Sequence, residues 1–280
     1  MLTARTPRIQ FDEGPLLWSK IPEFSMTYVG ASAVIPYVEY YLNHVMDQVR
    51  VECCKEKPEL NEELVIFIEQ ENLHAKYHHR YNKRLFAEIP ALKVVADGIV
   101  ADLNLQIKKR SLAFNAAYCV GFESIATSDA VYLHEACDDL LEGADVNGAN
   151  LMLWHVAEEF EHRASCHKAY GAASGSYFLR IAATLYAFWH IGGAFVRAEK
   201  IILDHYAKGM SDTERMESKR RSRQFFIRHM KYLIPRVLRV FIPGYDPDKL
   251  ITPPRVQAAL DFFKRNDPIQ ELAGSATENI

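Results

Sequence analysis

With 280 residues, 49% of them apolar, and a formal net charge of −3, the chain has material for one large domain or two small ones, and its charge points to no partner. The five cysteines (Cys53, Cys54, Cys119, Cys137, Cys166) contain no Cys-x-x-Cys, so they offer no thiolate metal site and fit a reduced compartment. The stretch MLTARTPRIQF lacks the apolar core of a secretion signal, and the expected location is cytoplasmic.

Apolar residues recur at helical spacing nearly throughout, and no alternating run is long enough for a sheet, so the predicted class is all-α. The first strong helix begins near Pro36 and runs through YVEYYLNHVMDQVRV, with Glu39 on a face shared by Leu42, Asn43 and Met46. A second helix, 60–86, carries FIEQENLHAKYHHRYN, in which Glu71 and His74 form a Glu-x-x-His pair. Helical pattern resumes over about 91–142, with Glu123 beside Thr127 and Ala130, until EGADVNGAN stops it. A fourth helix holds WHVAEEFEH and ends near Gly171. There His155, Glu159 and His162 stand at i, i+4 and i+7 on one face, while Glu158 and Glu161 fall on its flank as ordinary charges.

After GAASGS, an apolar helix spans 177–207. Its run IAATLYAFWHIGGAFV is 16 residues long, short of a bilayer crossing, and reads as a buried helix that walls a substrate pocket. A basic helix follows: Lys219 to Arg239 contains eight Lys or Arg and no acid. Phe226, Met230, Leu233 and Val237 give it an apolar stripe, so it either packs on the bundle with a solvated basic face or meets a membrane surface or acidic partner. Aromatic residues are not interleaved to stack bases, which argues against nucleic acid. Pro235, then IPGYDPDKL and TPP, mark an irregular segment before a last short helix, and the tail after Asn266 reads as frayed.

A glutamate on an apolar face is costly to bury unless it is paired or metal-bound. In chain order there are Glu39, Glu71 with His74, Glu123, and Glu159 with His162, one ligand element per predicted helix. That is the ligand set of ferritin-like di-iron and di-manganese carboxylate bundles. Four carboxylates balance two divalent ions, and oxygen and nitrogen donors without sulfur suit iron or manganese. His155, one turn before Glu159, is expected to add a third imidazole on the Glu159–His162 side, or to hold a carboxylate instead. His78 belongs to the core or the outer layer, His134 lies too far along its helix, and His79, His167 and His190 show no partner. The expected fold is a ferritin-like four-helix bundle with additional C-terminal helices: one domain, 1–280, with a metal-binding core at 25–171 and helices of 177–265 packed on it.

FIEQENLHAKYHHRYN, WHVAEEFEHRASCHKAY and FIPGYDPDKL resemble the signature blocks of the bacterial family labelled predicted metal-dependent hydrolases, over roughly residues 25–250. IPYVEYY is similar to that family's Phe-Pro-x-Gly-Glu block, with Ile35 and Val38 replacing Phe and Gly and Glu39 in register. The histidine ahead of the second Glu-x-x-His is similar to the arrangement in di-iron arylamine N-oxygenases, which implies O₂ chemistry. The favoured reading is therefore a non-haem di-iron oxygenase or oxidase that uses two irons (manganese remaining open) and O₂ to oxidise a small organic substrate. Glu39, Glu71, His74, Glu123, His155, Glu159 and His162 are its expected ligands. A metal-dependent hydrolase with a metal-bridging water is the second reading. A non-catalytic iron-binding bundle is the third, although it leaves the C-terminal helices without a purpose. A homo-oligomer stays open.

Overall fold

A computed structural model describes residues 2–10 and 13–264; the tail after Asn266 lies outside the described residues. Prolines start three of the first helices, where a missing N–H costs nothing. They are α1 (Pro22–Ser32), α2 (Ile35–Cys53) and α3 (Pro58–Glu88). Then come α4 (Lys93–Lys109), α5 (Leu112–Ala136), the short α6 (Asp138–Leu141), α7 (Val146–Glu161) and α8 (Ser165–Ala173). The chain continues with α9 (Tyr177–Tyr206), α10 (Asp212–Val237) and α11 (Pro254–Lys264). Among the described residues there is no strand.

Three boundaries differ from the sequence expectation. The stretch 91–142 is broken at Arg110 and Ser111, whose extended backbone and Ser111 cap start α5 afresh. The fourth helix stops at Glu161, with His162 as its C-cap, and α8 resumes three residues later. α10 runs through Pro235, which sits within its last turn, to Val237.

α2 packs on α3, α5 packs on α7, and α2 also touches α5, so these four helices enclose a common interior. α9 lies along α5 on one side and α1 on the other. The approach is close because small residues line it. A Cβ on Gly121 would fall 2.8 Å from the Thr184 backbone, and one on Gly30 2.9 Å from that of Glu199.

The expectation of a buried α9 is half right. Ala183, Ala187, Ile191 and Ala198 are buried, but Phe178 and Trp189 on the opposite face are 80% and 70% exposed. With its 3-10 extension to Gly209 the helix is long and apolar enough to cross a membrane by length and composition, because the whole helix outruns the 16-residue apolar run. The basic helix is also in a different register. Phe226 is 43% exposed while Leu233 and Val237 are buried, and two of its arginines reach acids of the bundle. Arg221 pairs with Glu23 and Arg228 with Asp139, each at 2.8 Å.

Candidate metal centre

α2 contributes Glu39, α3 Glu71 and His74, α5 Glu123, and α7 His155, Glu159 and, at its C-cap, His162. The structure brings all seven into one interior space, none more than 3% exposed. Two overlapping groups of four stand out: Glu39, His74, His155 and Glu159, and Glu71, His74, Glu159 and His162. In each, one donor atom per residue lies within 4.8 Å of the others. Glu123 joins through His162, its Oε2 being 3.2 Å from Nδ1.

His155 is not on the side expected. Its Nε2 lies 2.8 Å from Glu159 Oε1 and 3.3 Å from Glu39 Oε1, and its ring centre is 4.4 Å from that of His74. Seven helical residues advance about 10.5 Å along the axis. His155 and His162 therefore address opposite ends of the interior, although a helical projection superposes them.

The donors point at shared space and not at one another. Both oxygens of Glu39 and of Glu71, Oε1 of Glu123, Oε2 of Glu159, Nδ1 of His74 and Nε2 of His162 have no hydrogen-bond partner. His162 Nε2 is only 3.0 Å from Glu71 Oε1, yet the pair lacks hydrogen-bond alignment. Buried polar atoms left so cost about 1–3 kcal/mol each, and cations placed between them would remove that cost.

Charge tells the same story. Burial, and then Glu71, push the Glu39 carboxyl well above its usual range; burial and Glu159 push Glu123 up to about 8. Burial also opposes the charge on Glu71 and Glu159, but neighbouring imidazoles hold both below the usual range. For His74 and His162 burial is outweighed by the surrounding carboxylates, which push both imidazoles well up. The interior thus draws in protons wherever positive charge is lacking.

One chain of hydrogen bonds holds the His155 ring. Asn82 Nδ2 donates to the Ser32 carbonyl, so its Oδ1 is the acceptor for the Ser32 hydroxyl, 2.9 Å away. With that proton committed, His78 Nδ1 must donate to Ser32 Oγ, at 2.8 Å. Burial pushes His78 well below its ordinary value, so the ring is neutral and Nε2 accepts from His155 Nδ1, 2.7 Å away. Burial also lowers His155, whose Nε2 is hydrogen-bonded to Glu159 Oε1 at 2.8 Å and lies 3.3 Å from Glu39 Oε1, so that it faces two carboxylates. Such an arrangement calls for a cation.

Glu158 corrects the sequence reading. It is fully buried, not a flanking charge: Oε2 is 3.0 Å from His74 Nε2, and Oε1 accepts from Arg5 at 2.9 Å. Arg5 also grips Glu161 through two 2.8 Å contacts, and Gln70 donates to Glu161 at 2.9 Å. Because the N-terminal segment lies across α7, the flank of the stripe is covered as well as the stripe. Arg5 carried no signal in sequence. Glu158, one turn after His155, carried a weak one.

The other histidines lie apart. His134 bonds the Leu153 carbonyl at 3.1 Å, and burial lowers it to about 4. His190 has partners that the sequence did not show, Tyr118 at 2.8 Å and Asp102 at 3.3 Å. His79 packs against Tyr37 and Tyr40, and His167 against Tyr245.

Beside Glu123 a cleft of about 400 Å³ opens between Ser124, Thr127 and Phe160 on one wall and Arg236, Tyr245 and Leu250 on the other. α9, expected to wall a substrate pocket, contributes none of its lining residues. A family model described as predicted metal-dependent hydrolase matches residues 3–250. The chain belongs to that family. No curated protein and no solved structure matches it. In this member of the predicted metal-dependent hydrolases, the matched span covers the seven clustered residues, Glu158 and Arg5 of the outer layer, and the cleft as far as Leu250.

Proposed function

We propose that this chain is a metal-dependent enzyme in which Glu39, Glu71, His74, Glu123, His155, Glu159 and His162 hold two divalent ions. The observation that carries it is the convergence of these buried carboxylates and imidazoles, whose donor atoms lie within 4.8 Å in two groups of four and include both oxygens of Glu39 and of Glu71 without a hydrogen-bond partner. Metal ions bound there would acidify a water or polarise a substrate oxygen. The chain's own part is to orient and seal. Glu158 holds the His74 ring with Nδ1 toward the centre, His78 holds His155, and the bundle keeps bulk water out.

Hydrolysis is the reading that the family description supports. Oxygen activation by two irons, or manganese, with O₂ as co-substrate is a second reading. Two features favour it: the sulfur-free set of four carboxylates and three imidazoles, and its near-complete burial, which suits an oxidant better than a reaction consuming water. The ferritin-like relationship is proposed with it, on the order of ligands along the chain. Free cysteines support a cytoplasmic location.

Metal analysis of protein from iron-replete cells, followed by assays of ester hydrolysis and of O₂ uptake, tests these readings. Hydrolysis restored equally by manganese, zinc or iron supports the hydrolase. O₂ uptake with iron or manganese alone supports the oxygenase. Protein that binds no divalent ion overturns both.

A further inference from the structure

We infer that the cleft beside Glu123 binds a small organic acid, carboxylate outward and apolar tail inward. Three cations, Arg236, Arg239 and Lys249, are among its lining residues, and no carboxylate is. Lys249 is neutralised by Asp246 at 3.3 Å, but Arg236 and Arg239 form no ion pair among the described residues. Arg236 is held in place by donating to the Tyr232 carbonyl at 2.8 Å and by stacking 3.5 Å above that ring. No carboxylate among the described residues pairs with it, which leaves its charge to an anion in the cleft. Two guanidiniums without acids between them suit a carboxylate, which accepts paired N–H donors in one plane.

The inner half of the cleft is built differently. The Ser124 and Ser128 hydroxyls donate back into their own helix, to the carbonyls of Val120 at 2.6 Å and Ser124 at 2.7 Å. Val131, Phe160 and Leu250 complete an apolar middle. The exception is Thr127, which is 6% exposed and whose hydroxyl has no partner. It stands one turn beyond Glu123, about 6 Å along α5, and Phe160 follows Glu159 directly. A molecule whose carboxylate sits at the arginines therefore presents its far end to Thr127 and to the metal centre. At about 400 Å³ the cleft is at the small end of ligand sites and matches an acid of medium chain length.

The direction of the tail rests on the metal-centre reading; the anion site does not. Calorimetry with the whole, metal-loaded protein compares octanoate with octanamide, which has the same shape without the charge. Octanoate is expected to bind about 10-fold more tightly. Arg236→Gln with Arg239→Gln should remove that preference and leave octanamide binding and metal content unchanged. Arg239→Gln alone, which disturbs no hydrogen bond, should remove part of it. Equal affinity for the two ligands, or undiminished octanoate binding in both variants, overturns the anion site. In protein shown to hold manganese, the fluorine signal of bound 8-fluorooctanoate should be strongly broadened. A sharp bound signal overturns the tail-inward orientation. Failure to load manganese overturns the metal centre instead, while the affinity comparison still decides the anion site.

Discussion

His74 serves three carboxylates at once: Glu71 and Glu159 near Nδ1 at 3.7 and 3.5 Å, and Glu158 at Nε2 at 3.0 Å. Replacing His74 or His162 by alanine should lower bound metal from about two ions per chain to one or none, as read by elemental analysis. Full metal content in both variants would remove them from the ligand set. His155→Ala removes a donor from only one of the two groups, so one ion should bind normally and the other weakly. His78→Ala leaves every proposed ligand in place but frees the His155 ring. It should weaken the same ion about 10–100-fold in a metal titration, and unchanged affinity would argue against the hydrogen-bond chain. Glu158→Ala leaves Arg5 paired with Glu161 but takes the buried acceptor from Arg5 and from His74 Nε2, and chemical unfolding should show a loss of about 1–3 kcal/mol, reduced in Glu158→Gln, which keeps an acceptor. The glutamate stripe and the two Glu-x-x-His pairs were legible in sequence because each lies within one helix. Glu158 was not, since its burial depends on an N-terminal segment more than 150 residues away in sequence.

At the scale of elements, two glycines should respond with opposite sign. Gly121 lies where α5 meets α9, and an added methyl group would strike the backbone of Thr184. Gly121→Ala should cost about 1–3 kcal/mol. Gly98, inside α4, has open space around it, and Gly98→Ala should add about 0.5–1 kcal/mol by restricting the unfolded chain. Urea unfolding of both variants measures the difference, and a destabilised Gly98→Ala would mean that this face of α4 is covered. Helix existence was readable from periodicity, but helix ends were less so. The interruption at 162–164 leaves no glycine or proline to betray it. It follows from His162 turning inward as the α7 C-cap, which is a property of the site it serves.

For the whole molecule, the shifted groups set a pH dependence. Glu39, Glu123, His74 and His162 are all raised in the fold, so above the ordinary imidazole value the folded metal-free protein holds more protons than the unfolded chain. Their stabilisation is complete below the ordinary carboxylate and imidazole values. It is lost as pH rises, through about 8 for Glu123. Glu71 and Glu159 are depressed and act only as pH falls below the carboxylate range. Below the ordinary imidazole value the lowered His78, His134 and His155 oppose this trend, so the chelated protein should weaken steadily between about pH 7 and 9. Metal should bind better over the same interval, because its ligands must shed those protons. At metal concentrations 100-fold above Kd the gain is about 2.7 kcal/mol, and the gap between metal-loaded and chelated melting temperatures should widen with pH. A gap independent of pH would contradict the charge reading of the interior.

The amino-acid sequence by itself determined that the chain is helical, that each of four helices carries a proposed ligand element, and that those donors lack sulfur. All of these follow from residue type and spacing along one strand of chain. Tertiary structure alone decided that His155 faces Glu39 and His74, that Arg5 closes over Glu158, and that α10 and the segment after it, not α9, wall the cleft. Helical periodicity specifies the angle of a side chain about its own axis. Which neighbour occupies that direction depends on the height and packing of other helices, and a single spacing pattern cannot supply either.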